Sequence, residues 1–266
     1  MSGGKRLSPA FDTTLLSRVE DAGLNASAPP QQRWLDGWLI RFSPGKAKRA
    51  RCVNALAAGR LPLVAKLALA EAVFTEAALP MVLRITPFSA PPDLEAQLSA
   101  RGWARIDDTR VMVCAALEAL ADEALPAGLA WQTLGHSALA QTVGQLRGSS
   151  LAQSQAHAQR LELSPVPFKA LAIRREADGA LLACGQIARE ADLVGLYDVF
   201  TAEAVRGQGL ARRLCQRLLA TARDEGAHSA YLQVEADNEP ARSVYRRLGF
   251  SDAYAYHYRV RPGDSA

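Results

Sequence analysis

Apolar positions along this 266-residue chain follow two periods, and one stretch shows both in succession. Leu193 to Thr201 is a β-branched and aromatic run that predicts a strand. Past a short polar turn, apolar residues at 211, 214, 215, 218, 219 and 222 recur at the three-and-four spacing of a single buried helical stripe, with Arg212, Arg213, Arg217 and Arg223 on the opposite face. The same reading predicts further helices over 11–22, 63–79, 92–101, 137–147, 150–161 and 239–248. It predicts strands over 49–56, 81–86, 103–115, 129–134, 229–236 and 252–260. Asp36-Gly37, between apolar residues of 33–42, and Asp178-Gly179, between 169–175 and 180–189, are hairpin signals. Pro62 opens one helix, and Gly102 and Gly249 close two others.

The pattern repeats. With Ala100-Arg101-Gly102-Trp103 laid on Arg247-Leu248-Gly249-Phe250, strand 81–86 falls on 230–236, helix 63–78 on 210–226 and strand 49–56 on 194–201. Such self-similarity points to two tandem copies of one α+β unit. The expected division is 1–116, a linker at 117–128 and 129–266, with a frayed start.

Between the strand and helix of the opening stretch lies Arg206-Gly207-Gln208-Gly209-Leu210-Ala211. A strand that runs through a glycine turn into a helix presents unpaired N–H groups at the positive end of the helix dipole, a seat for phosphate. Arg206 and Arg212 can add charge-assisted contacts. No Lys-Ser or Lys-Thr follows, as a P-loop requires, and Arg212 stands where a dinucleotide fingerprint needs its third glycine. In the first copy the equivalent stretch is Ala57-Ala58-Gly59-Arg60-Leu61-Pro62-Leu63, in which one glycine remains and Pro62 removes an N–H.

Arg206-x-x-Gly209-x-Ala211 after a strand, followed by Tyr231 to Phe250 (Y-L-Q-V-E-A-D-N-E-P-A-R-S-V-Y-R-R-L-G-F), resembles the two signatures of the GCN5-related N-acetyltransferases (GNAT) over roughly 129–262. The resemblance implies an α+β GNAT fold, a mixed, mostly antiparallel central sheet flanked by helices, present here as two tandem repeats. It implies acetyl-CoA as cosubstrate and an amine as acceptor. Val199, Phe200 and Thr201 would then bond the pantetheine arm, and the amides of Gly207, Gln208, Gly209, Leu210, Ala211 and Arg212, with Arg206, the pyrophosphate. Splayed strands at 193–201 and 229–236 would leave room for the arm. Tyr245 would serve as general acid, and Asn238 would touch the cofactor as well as cap its helix. Some relatives carry a Glu near the start of the 229–236 strand, where this chain has Gln233. Asp198 is then the expected base, with Glu235 as the other near carboxylate and a base-free water relay as an equal alternative. In the first copy Leu98 stands at the place of Tyr245, so that copy reads as degenerate.

Composition narrows the remaining classes. Apolar residues are 49% and charged residues 22%, the balance of a globular protein. No apolar run approaches the ~18 residues of a membrane span, and nothing after Met1 resembles a signal peptide, so the expected location is the cytoplasm, without a membrane partner. Cys52, Cys114, Cys184 and Cys215 are far apart and in apolar runs, which reads as buried thiols. His136, His157, His228 and His257 lack ligand spacing, so no metal is expected. The net charge of +4 is spread along the chain. Its one dense run, Lys46 to Arg51, reads as a solvated turn and strand edge rather than a nucleic-acid stripe. Trp34, Trp38 and Trp103 read as core or cleft wall. The alternative to an enzyme is a non-catalytic CoA-binding or regulatory module; a monomer or a homodimer is expected, the tandem repeat reducing the need for a dimer.

Overall fold

A computed structural model describes residues 7–118 and 123–264. Residues 1–6 of the frayed start expected over 1–11, and 119–122 in the expected linker, lie outside them. In chain order the elements are α1 (Thr13–Ala26), β1 (Gln32–Leu35), β2 (Trp38–Arg41), β3 (Val53–Ala55), α2 (Leu63–Glu76), β4 (Val82–Ile85), α3 (Leu94–Ala100), β5 (Ala104–Cys114), β6 (Leu129–Leu134), α4 (His136–Leu146), α5 (Leu151–Glu162), β7 (Phe168–Arg175), β8 (Leu181–Glu190), β9 (Leu193–Thr201), α6 (Leu210–Asp224), β10 (Ser229–Glu235), α7 (Glu239–Arg247) and β11 (Ser251–Val260). Short 3₁₀ turns at Lys48–Ala50 and Glu203–Val205 complete them.

Local chemistry accounts for most of these boundaries. Asp36 (φ 43°) and Gly37 (φ 83°) make the two-residue turn of the β1–β2 hairpin, with Leu35 opposite Trp38. Ser150 caps α5 in a reciprocal capping box with Gln153. Asn238 caps α7, accepting from the Ala241 N–H, with Pro240 in the first turn. The α6 stripe of Leu210, Leu214, Leu218 and Leu219 is fully buried, and each such leucine is worth roughly 1.5–3 kcal/mol of burial.

Two expectations are corrected. The strand predicted over 49–56 shrinks to Val53–Ala55, because Ala50 and Arg51 bond back to Ala47 and Lys48 and close a turn. Trp38 and Trp103 are core, but Trp34 is 66% exposed, on an edge strand with one partner.

All strands join one sheet in the order β1-β2-β3-β4-β11-β5-β10-β9-β8-β7-β6. The two copies are recognisable in it: β3–β4 and β9–β10 are both parallel pairs, each bridged by a helix (α2, α6). The last strands are exchanged. β5, from the first copy, pairs with β10 of the second; β11, from the second, pairs with β4 of the first; and β5 and β11 pair antiparallel at the centre. An approximate twofold axis therefore passes between β5 and β11. Arg259 on β11 reinforces the exchange by pairing with Glu95 on α3 and donating to the Trp103 carbonyl at 2.6 Å.

Strand alternation divides the core. Val111, Val113, Tyr254, Tyr256 and Tyr258 face a cluster shared with α1, α4 and α5. On the opposite face Met112, Cys114 and Leu232 pack with α6 and α7, and Leu83 and Ile85 pack with α2 and α3. All four cysteines are buried.

Candidate active site

The site forms where the parallel ladder between β9 and β10 stops. Pairing ends at Leu196–Leu232, yet β9 continues to Thr201 and β10 to Glu235. The two strands splay. β10 instead follows β5 on its other side as far as Glu235–Thr109, and β9 stays with β8 to Thr201.

At the split, β9 carries a bulge. Tyr197 lies opposite Gln186 and Phe200 opposite Cys184, so Asp198 and Val199 share the space facing Gly185. Asp198 takes φ 51°. The bulge puts Asp198 on the same face as Tyr197, and Val199 onto the α6 face with Val194 and Leu196. It thus keeps 198 and 200 apart from 199 and 201, while reversing their relation to the strand's first half.

On the α6 and α7 face the split opens into a cavity of about 570 Å³. Every residue expected at the cofactor except Gln208 lines it: Val199 to Thr201, Arg206, Gly207, Gly209 to Arg212, Asn238 and Tyr245. Gln208 is exposed beside it. Val205, Pro240, Ala241, Val244 and Arg247 complete the wall; of these only Ala241 and Val244 had a signal in the sequence, the apolar stripe of α7.

The head of α6 is a nest of free donors. From Gly207 to Arg212 no backbone N–H has a protein acceptor among the described residues; the first intrahelical bond is Arg213 N to Gly209 O. Gly207 and Gly209 have φ 79° and 78°, and a Cβ on either would meet no protein atom within 4 Å. Glycine is required there by backbone conformation more than by room. The Arg212 guanidinium pairs with Glu123, as does that of Arg213.

Tyr245 is 8% exposed, and its hydroxyl has no hydrogen-bond partner among the described residues. Burial, with Cys215 nearby, pushes its pKa well above the usual phenol range. It remains a protonated donor at every working pH.

On the opposite face of the split lies a smaller cleft of about 60 Å³, walled by α4, α5, the end of α1 and the 43–50 loop. Asp198 is here, separated from Tyr245 by the sheet. It pairs with Arg147 at 2.9 Å, accepts from Gln186 at 2.6 Å and lies 3.5 Å from His157. Burial works against its charge, but the bond from His157 and the charges of Arg147 and Arg160 prevail and hold its carboxyl well below the usual range. A carboxylate so held is a poor proton acceptor at neutral pH, which weighs against the expectation that Asp198 is the base. Glu235 is exposed at the far end of β10. Gln233 accepts from Arg49 and from the Tyr256 hydroxyl, both at 2.8 Å.

The sequence reading missed the basic lining of this cleft. Arg49 belongs to the run read as a solvated edge, and that run's density was the available signal; nothing in the spacing of Arg147, His157 or Arg160 joined them to it. Among the described residues no group of three or more His, Cys, Asp or Glu side chains is placed to hold a metal.

Comparison with known proteins agrees with this geometry. Residues 146–250 match the family described as Acetyltransferase (GNAT) family. The chain is 26% identical over 235 residues to the uncharacterized N-acetyltransferase YobR of Bacillus subtilis (strain 168), covering 86% of this chain and 92% of the relative. Among solved structures, a GCN5-related N-acetyltransferase from Kribbella flavida superposes with a TM-score of 0.65 at 16% identity, covering 93% of this chain and 96% of that one. A tandem GNAT protein from the clavulanic acid biosynthesis pathway superposes with a TM-score of 0.57 at 17% identity, covering 76% and 70%.

Proposed function

Because the chain belongs to the GNAT superfamily, we propose that it transfers the acetyl group of acetyl-CoA to a primary amine by direct attack, without a covalent enzyme intermediate. The observation that carries this reading is the run of free N–H groups from Gly207 to Arg212 opening on a cavity that ends at the β9–β10 split beside Tyr245.

Each part of the cosubstrate has a counterpart in that cavity. The pyrophosphate takes the N–H groups at the head of α6, where the helix dipole adds to them. The pantetheine arm lies along Val199 to Thr201, whose backbone edge β10 has left unpaired, and so adds a strand to the sheet. Asn238 caps α7 through its carbonyl, leaving its amide N–H groups for the arm. The thioester then sits in the split, open to the amine from the opposite cleft.

The amine nitrogen bonds to the acetyl carbon, the carbon–sulfur bond breaks, and the sulfur leaves as a thiolate. Tyr245 faces that sulfur with an unengaged hydroxyl. Its raised pKa makes it a hydrogen-bond donor that stabilises the thiolate, while the nitrogen's proton passes to solvent through water. No carboxylate of the cleft is left for that proton, since Asp198 is held ionised between Arg147 and His157.

A screen of primary amines with acetyl-CoA, read by release of free CoA thiol and by mass of the product, tests the proposal. Turnover with at least one amine is expected. The second reading, a CoA-binding module without catalysis, draws on Gln233 and the engaged Asp198; acetyl-CoA binding with no transfer to any amine would favour it.

A further inference from the structure

The acceptor-side cleft has an imbalance of charge that the reaction above does not use. Its walls carry four cations, Lys46, Arg49, Arg147 and Arg160, against one carboxylate, Asp198. That carboxylate is already taken by Arg147 and His157. Lys46 lies over the Arg147 carbonyl at the rim.

The two remaining arginines form no ion pair among the described residues, although Arg160 lies near enough to Asp198 to feel its charge. Arg160 donates to the Ala26 carbonyl at 2.7 Å and lies over the Phe168 ring, 5.9 Å from its centroid. Arg49 donates to Gln233 at 2.8 Å and lies over the Tyr197 ring at 5.8 Å, and its Nε is buried without an acceptor. Neither has a carboxylate within 4.0 Å among the described residues. Behind them Arg41, fully buried, also bonds only neutral groups: Gln32, Ser27 and the Leu24 carbonyl. A guanidinium taken from water without a paired counter-ion is costly, and burial pushes the Arg160 pKa down despite the charge of Asp198, whereas at Arg49 burial is outweighed by Tyr256, Tyr258 and Tyr197, which raise its pKa. A ligand oxyanion would offset that cost, and the planar guanidinium fork matches a carboxylate or phosphate edge.

We propose that the acceptor is a small amine bearing an oxyanion, a carboxylate or a phosphate, received by Arg49 and Arg160 while its nitrogen faces the β9–β10 split. This rests on the acetyl-transfer reading. The site is shared between the copies: Arg49 and the 43–50 loop come from the first, Arg147 and Arg160 from the second. The first copy thereby supplies part of the acceptor site.

The test compares matched amines on the full-length protein: glycine with glycinamide, and aminoethyl phosphate with ethanolamine, on wild type, Arg49→Gln and Arg160→Gln. The wild type is expected to prefer the anionic member of at least one pair by roughly tenfold or more in kcat/KM, the size of one charge-assisted hydrogen bond. Either variant should reduce that preference by a similar factor, and the pair that responds separates carboxylate from phosphate. Equal or better turnover of both neutral amines would overturn the proposal and leave acetyl transfer standing. Acetate and inorganic phosphate, titrated by calorimetry, supply a readout independent of turnover. Binding of either that is lost in Arg49→Gln supports the anion site even if no amine is acetylated; binding of neither refutes it. Arg49→Lys, which keeps the charge and the fold, should recover part of the preference.

Discussion

The two copies differ most sharply at their strand-to-helix junctions, 57–63 and 205–211. In the second, six successive N–H groups at the head of α6 have no protein acceptor. In the first, the same place is filled by the protein itself. The Asp36 carboxylate, projecting from the β1–β2 turn, accepts from the N–H groups of Arg60 and Leu61 at 2.8–2.9 Å. Lys66 flanks it at 3.4 Å, donates to the Ala58 carbonyl and lies over the Trp38 ring. A Cβ on Gly59 would strike the Asp36 carboxylate at 2.3 Å. A helix head attracts an anion whether or not the anion belongs to a ligand. One junction carries its own anion, and the other is open to a phosphate. With Leu98 standing where the second copy has Tyr245, the first copy lacks both the run of free N–H groups and the tyrosine hydroxyl.

The largest expected effect comes from closing the open junction. Gly209→Glu imposes a side chain on a residue at φ 78° and sets a carboxylate where a phosphate is to bind. Acetyl-CoA affinity should fall roughly hundredfold or more by calorimetry. Tyr245→Phe keeps the ring packed against Phe250 and removes only the hydroxyl. It should lower kcat by about tenfold to a hundredfold, with the loss in kcat rather than in KM; unchanged kcat across pH would remove Tyr245 from the mechanism.

Asp198→Asn separates the structural role from the catalytic one. The folded state holds the Asp198 carboxyl below its unfolded value, so the stabilisation is complete above pH ~4 and is lost as pH falls towards the lower folded value. Melting temperature should therefore fall more steeply below pH ~4 in wild type than in Asp198→Asn, which gives up the ion pair at every pH. Equal slopes would mean that Arg147 and His157 do not hold the carboxylate. The smallest effect is expected at Asp36, whose carboxyl is also lowered, by the Leu61 and Arg60 N–H groups and then by Lys66. Asp36→Ala should lower the melting temperature modestly at neutral pH, with the same sign of pH dependence, and should not open a second cofactor site, because Pro62 still withholds an N–H.

Much of this difference was legible in the sequence. The glycines at 207 and 209, the Y-x-x-x-G-F run and the matched spacings of the two copies are local patterns, and local patterns survive in one dimension. The splay of β9 and β10 was anticipated; the exchange of β5 and β11 was not, because strand pairing across 140 or so residues leaves no periodic signature. Asp36 read only as half of a hairpin turn, and its capture of the Arg60 and Leu61 amides depends on two loops meeting. Arg49 was read as solvated because its run is dense in charge, yet the 3₁₀ turn at Lys48–Ala50 aims its side chain at Gln233. The bulge at Asp198 likewise came from a register shift that strict alternation does not foresee.

The most direct test is the stoichiometry of acetyl-CoA binding by calorimetry on wild type, Asp36→Ala and Gly209→Glu. One molecule per chain on the first two and none on the third is the predicted result. Two per chain on wild type, or undiminished binding by Gly209→Glu, would contradict the account of one open and one self-filled junction.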